Sequence, residues 1–100
     1  MDIKYRIDKD LLYIAVEGRV DASNAADAEK KIFEIKNANS DKHVVVDEDH
    51  LEYISSAGLR VILKAQKLMN TQGSMKLTGV NESIMEIFDI TGFADILTIE

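Results

Sequence analysis

Four residues, His43-Val44-Val45-Val46, narrow the folds open to this chain more than any other stretch. They make a short β-branched run of the kind that suits a buried central strand. On either side lie segments with helical periodicity. A buried strand reached from one helix and left for another belongs to a β-α-β crossover, and such crossovers build parallel sheets.

The helix before it is read from GRVDASNAADAEKKIFEIKNA. Ser23 or Asn24 is expected to cap it, with Asp27 in the first turn facing the positive end of the dipole. Ala25, Ala28, Ile32 and Ile35 recur at helical spacing, and the pattern fades at Asn37-Ala38-Asn39. The helix after it is expected to begin near Ser56, to bury Leu59, Ile62, Leu63 and Met69, and to stop at Gly73. Arg60, Lys64 and Lys67 share its opposite, solvated face.

Upstream, Ile3, Tyr5 and Ile7 alternate with charged residues, and Leu12, Ile14 and Val16 recur at the same period of two after the triplet Asp8-Lys9-Asp10. Two period-two runs joined by a short polar turn read as an antiparallel hairpin, with Gly18 ending the second strand. The acidic segment Asp47-Glu48-Asp49 closes the central strand. Further on, Met75 to Thr78 reads as a strand, and Asn81 caps a short helix that buries Ile84, Ile87 and Phe88 and ends by Gly92. Ile96 to Ile99 is a last apolar strand, and Phe93 belongs to the core. The order β-β-α-β-α-β-α-β implies an α/β fold: a small mixed sheet with an antiparallel N-terminal hairpin, parallel inner strands and crossover helices. Residues 1–100 are expected to form one domain, with no linker, repeat or low-complexity tract between parts.

A net charge of −6 argues against general binding to nucleic acid or anionic membrane, which needs a cationic footprint. Without cysteine there is no disulfide or thiolate chemistry. No apolar run reaches the roughly 18–20 residues of a membrane span, and the first residues lack a signal-peptide core. A cytoplasmic protein is expected. His43 and His50 have no paired carboxylate at metal-ligand spacing, so structural or surface roles are expected for both. No phosphate-cradling loop, nucleophile elbow or zinc-protease motif occurs. With 18 acidic residues, close carboxylate pairs arise by chance. Neither an enzyme nor a bound cofactor or metal is expected.

Chemistry is concentrated instead in ISSAGLR, Ile54 to Arg60. Locally, one of Ser55 and Ser56 would serve as a helix cap, worth about 1 kcal/mol. Gly58 in the first turn is less expected, since glycine is about 1 kcal/mol poorer than alanine in a helix. A small residue there would allow another segment to approach closely. Asp21 fits a turn residue bonding backbone amides, or a functional acid if its loop lies beside the start of the second helix. Asp47, at the end of the central strand, is a second such acid.

Taken together, GRVDASNA, the strand ending VVVD, YISSAGLRVIL and IFDITGFADIL resemble a STAS domain, and more closely the stand-alone anti-anti-sigma factors (anti-sigma factor antagonists) of bacteria. The resemblance runs over essentially the whole chain. It implies a phosphorylation switch. The unphosphorylated form binds an anti-sigma factor serine kinase of the histidine-kinase-like ATPase fold; phosphorylation breaks the complex, and a metal-dependent serine phosphatase reverses it. The family acceptor follows an aspartate in an Asp-Ser-Ser-Gly or Asp-Ser-Thr-Gly pattern. Here Ser55 takes the aspartate's position, Ser56 the acceptor's and Ala57 the third. Ser56 is the implied phosphorylation site, with Ser55 second. Asp21, Ser55, Ser56, Ala57, Gly58 and Arg60 are the implied partner contacts. A chain that is monomeric when free is expected. The alternative is a STAS subunit bound to the ATPase of a lipid-transport ABC system, without a switch.

Overall fold

A computed structural model describes all residues 1–100. The elements run β1 (Asp2–Asp8), β2 (Leu11–Val20), α1 (Ala25–Ala38), β3 (His43–Asp47), β4 (Leu51–Ile54), α2 (Ser56–Gln72), β5 (Met75–Thr78) and α3 (Glu82–Thr91), then a short 3-10 turn at Phe93–Asp95. The sheet has the order β1-β2-β3-β5, and β4 pairs with β2 as well. The expected hairpin is present, with β1 and β2 antiparallel from Asp2↔Glu17 to Asp8↔Leu11. The inner pairs are parallel: Leu11↔His43 to Ala15↔Asp47, and Val44↔Met75 to Asp47↔Thr78. The mixed α/β architecture read from the sequence is therefore the observed one.

Alternation along the strands divides the sheet into two faces. Leu12, Ile14 and Val16 of β2, Val44 and Val46 of β3, and Met75 and Leu77 of β5 join one buried cluster with the helices. To that cluster α1 brings Ala25, Ala28 and Ile32, α2 brings Leu59, Ile62, Ala65 and Met69, and α3 brings Ile84 and Phe88. Tyr13 falls on the other face, where the Arg6 guanidinium lies 3.9 Å from its ring centroid. Leu63 and Ile87, expected in the core, are only half-buried.

Three expectations need correction. Gly18 does not end β2; it takes φ +88°, and the strand continues to Val20. That extension receives β4, a strand that periodicity does not predict: Gly18 pairs with Leu51 and Val20 with Ile54, with a register shift between Gly18 and Arg19. Ile96 to Ile99 is not a strand. It follows the 3-10 turn and touches β5 only through a single Leu77↔Ile99 bridge, with Leu77 N–H donating to the Thr98 carbonyl.

Two polar side chains lie inside the fold with partners. The Lys36 ammonium, on a residue 3% exposed, donates to Gln72 Oε1 at 3.0 Å and so ties α1 to the end of α2. Gln66 on α2 is fully buried. Its amide nitrogen donates to the Met75 carbonyl and to Asn70 Oδ1, both at 3.1 Å, and its Oε1 accepts from Thr98 N–H at 3.2 Å. One side chain thus stitches α2 to β5 and to the C-terminal segment. Gln66→Leu would keep the volume and strand those backbone groups, so urea denaturation should show a loss of about 1–3 kcal/mol. Unchanged stability would mean that the network contributes nothing net.

Candidate functional site at the start of α2

β2 and β4 end side by side, and the chain turns from β4 straight into α2. Ser55 N–H donates to the Val20 carbonyl at 2.8 Å, extending the β2–β4 ladder to the residue before the helix. Ser55 is the N-cap of α2: its backbone is extended, and its Oγ accepts from Gly58 N–H at 3.2 Å. Its carbonyl accepts from Leu59 N–H at 2.9 Å. Ser56 is the first helical residue. It is exposed, and its hydroxyl has no hydrogen-bond partner within the chain. The two adjacent serines therefore differ: the Ser55 hydroxyl is committed to the helix, and the Ser56 hydroxyl is free at the positive end of the dipole.

Gly58 is explained by the same junction. It is buried, and a Cβ there would stand 2.7 Å from Ile54 Cγ1 and 2.8 Å from Val20 Cγ1. Those two residues are the last pair of the β2–β4 ladder. Their β-branched side chains are stiff at χ1 and give way poorly. The missing side chain lets the first turn of α2 sit directly on the strand ends. Ala57 is half-buried against the core, while Arg60, one turn after Ser56, is exposed. Of the basic stripe on α2, Lys64 is paired with Glu29 at 3.1 Å; Arg60 and Lys67 have no carboxylate within ion-pair distance.

Asp21 follows the end of β2 and so lies next to Ser55 across the ladder. Its carboxylate is bonded inside its own loop, accepting from both the Ser23 hydroxyl and Ser23 N–H. These bonds, the hydroxyl first, hold the Asp21 carboxyl below the usual carboxylate range, with a smaller contribution from Arg19. Asn24 stands at the N-cap position of α1 without making a side-chain cap. Its amide instead accepts from Asp21 N–H and donates to the Arg19 carbonyl. Asp21 and Asn24 together fix the loop beside the serines, and neither bonds to Ser56. Asp47 also turns back on its own segment, accepting from Asp49 N–H at 2.9 Å. His43 accepts or donates through Nδ1 to the Ser74 hydroxyl at 3.0 Å at the opposite end of β3.

Sequence reasoning missed Glu48, the first residue of the three-residue link between β3 and β4. It is fully buried, and neither carboxylate oxygen has a hydrogen-bond partner in the chain. Burial, and secondarily the charge on Asp47, push its pKa up to about 7. Within an acidic triplet, nothing in the sequence marks the middle acid as interior. No group of three or more potential metal ligands occurs, and no helix is long and apolar enough to cross a membrane.

Two outcomes follow for stability. Gly58→Ala gains up to about 1 kcal/mol of helix propensity and loses about 1–3 kcal/mol to overpacking. The clash should win, lowering the melting temperature by several degrees in thermal denaturation. Glu48 has a folded-state pKa above its unfolded value, so the folded chain binds more protons between pH 4.5 and 7. Its contribution therefore worsens as pH rises through that window and is flat above it. At about 1.4 kcal/mol per pKa unit, the penalty at pH 8 is about 3 kcal/mol. Glu48→Gln should be more stable than the parent by nearly that amount at pH 8 and by less than about 1 kcal/mol at pH 5 in paired denaturant titrations.

Comparison with known proteins agrees with this fold. The STAS domain family model matches residues 2–100. BtrV of Bordetella bronchiseptica, named as a candidate anti-sigma factor antagonist, is 34% identical over 100 residues, covering 97% of this chain and 85% of BtrV. The anti-sigma-B factor antagonist of Listeria monocytogenes is 32% identical over 101 residues, covering all of this chain and 87% of that protein. Among solved structures, unphosphorylated SpoIIAA, an anti-sigma factor antagonist, superposes with a TM-score of 0.76 at 14% identity, covering 99% of this chain and 88% of that one. SpoIIAA of Bacillus in its phosphorylated form gives 0.70 at the same identity, covering 99% and 91%. At that identity the likeness is one of fold. With a family match over nearly its whole length and a relative above 30% identity, the chain belongs to the STAS domain family.

Proposed function

We propose that this protein is an anti-sigma factor antagonist whose binding to an anti-sigma factor serine kinase is switched by phosphorylation of Ser56. The observation that carries the reading is the division of labour between the two serines. Ser55 Oγ is held by Gly58 N–H, whereas the Ser56 hydroxyl is exposed and unbonded at the start of α2. A kinase needs a hydroxyl it can reach, and a structural cap that surrendered its oxygen would cost about 1 kcal/mol. The relatives named as anti-sigma factor antagonists support the partner class, and they favour this reading over a subunit of a lipid-transport ATPase.

The physics of such a switch is local. A phosphoserine adds about −1.5 to −2 charges and three strong acceptor oxygens. At the first position of a helix this charge meets the positive end of the dipole and free N–H groups, so the fold tolerates it. Facing a partner surface, the same charge is desolvated and repelled by any carboxylate opposite, and each 1.4 kcal/mol is a tenfold loss of affinity. Release needs no rearrangement of the backbone. A metal-dependent serine phosphatase would complete the cycle by reaching the same exposed oxygen.

Site-resolved phosphopeptide mass spectrometry on the protein recovered from its native cells under two growth conditions tests the assignment. Phosphate on Ser56, with occupancy that changes between conditions, is the expected result; none on either serine would reduce Ser56 to a helix start. As a second check, Ser56→Asp should leave the melting temperature unchanged or slightly higher, because an acid at this position suits the dipole. It should weaken binding to the co-expressed kinase at least about tenfold. Full affinity in that variant would count against a charge-operated switch.

A further inference from the structure

The rim beside Ser56 carries one feature the switch does not use. Arg19 on β2 and Tyr53 on β4 are paired in register, one step before the Val20↔Ile54 pair that Gly58 packs against. The Arg19 guanidinium lies 4.4 Å from the Tyr53 ring centroid, and Tyr53 is 39% exposed. Arg19 itself is exposed and has no carboxylate within ion-pair distance, although the chain carries an excess of acid. Of the two acids nearest along the chain, Glu17 is paired with Lys4 at 3.3 Å and Asp21 spends its hydrogen bonds on Ser23.

Such a pair is preorganised for binding. Stacking holds the guanidinium plane and leaves its five N–H donors for a planar acceptor, the geometry that suits a carboxylate. Arginine and tyrosine are also the side chains most often responsible for binding energy at protein interfaces, because their large contact area costs little ordering when it is already fixed. Tyr53 and Ser56 are three residues apart in the chain, so their Cα atoms are at most about 10 Å apart, a little over the Debye length of about 8 Å at physiological salt.

We propose that the Arg19–Tyr53 pair is the docking contact for a carboxylate on the kinase, and that this one acid senses both faces of the switch. It pairs with Arg19 when Ser56 is unmodified and is repelled when a phosphate stands beside it. This rests on the phosphorylation reading above and adds the specificity residues and the chemistry of the partner surface. The same arrangement rejects a partner whose facing surface is basic, since Arg19 would then be left against like charge.

The test replaces the chromosomal copy with Arg19→Glu, Arg19→Gln or Arg19→Lys and reads Ser56 phosphate occupancy together with the amount of ATPase-fold kinase recovered with the protein. Melting temperatures are measured in parallel. Arg19→Glu is expected to cut both readouts at least about tenfold. Arg19→Gln should fall nearly as far, and Arg19→Lys should be intermediate, keeping the charge while losing the fork and the stack. If Arg19→Glu also melts lower, the neutral Arg19→Gln decides, since it removes the charge without adding an acid. Occupancy and kinase recovery equal to the parent in a variant that folds normally would overturn the docking contact while the switch stands. Absence of phosphate on the parent protein itself would overturn the switch, and this contact with it.

Discussion

The geometry of the candidate site depends on the contact between the first turn of α2 and the last rung of the β2–β4 ladder. Val20 and Ile54 fill the space where a side chain at position 58 would stand, and glycine lets the helix start there without displacing them. The helix is thereby seated on two strand ends rather than hung from a loop. Ser55 is pinned from two directions, by its backbone N–H on Val20 and by its side chain on Gly58. The Ser56 hydroxyl is then presented at a fixed position with no conformational choice left to the residue before it. Exposure and rigidity, usually opposed on a surface, coincide here.

That junction also explains what was and was not legible in the sequence. The hairpin, β3, β5 and all three helices announced themselves through periodicity, because each buries one face against the same cluster. Asn81 was readable as a cap, and its Oδ1 does accept from Ile84 N–H at 2.9 Å. β4 was not readable. Its four residues have the burial pattern buried-exposed-exposed-buried, which matches neither alternation nor a continuous apolar run. What makes Leu51–Ile54 a strand is the extra length of β2, a tertiary fact. Ile96 to Ile99 failed the other way: its composition suits a strand, yet one bridge and two backbone bonds to Leu77 are all the pairing it finds. At the site, the serines and Asp21 were visible as residue types. The full reason for Gly58 was not, since one of the two side chains that exclude a Cβ belongs to Val20, far away in the chain.

Charge is distributed with a similar split between local and tertiary causes. Asp21, Asp47 and Asp49 behave as loop acids do, bonding nearby amides or standing in solvent. Glu48 sits among them in sequence and in the interior in space, without a partner for either oxygen. Burying it within the link that delivers β4 is a local conflict in an otherwise consistent fold, and such conflicts stand out against the agreement of pattern and packing elsewhere. Lys36 and Gln66 show the contrast: equally buried, they are bonded across elements and act as ties.

β2 is the one strand that touches three others, pairing with β1 along one register and with β3 and then β4 along its length. A strand shared so widely has no small opening motion available to it. Freeing its amides means parting the hairpin, the central parallel pair and the ladder under α2 at once. Local fluctuation is thereby confined to the periphery, to the tips of turns and to the C-terminal segment. The surface that would meet a partner is coupled to the slowest-opening part of the molecule. Under the proposed function, recognition at this rim would accordingly be a meeting of preformed shapes, in which the complex's lifetime is set by the contacts made and not by how long the site stays folded.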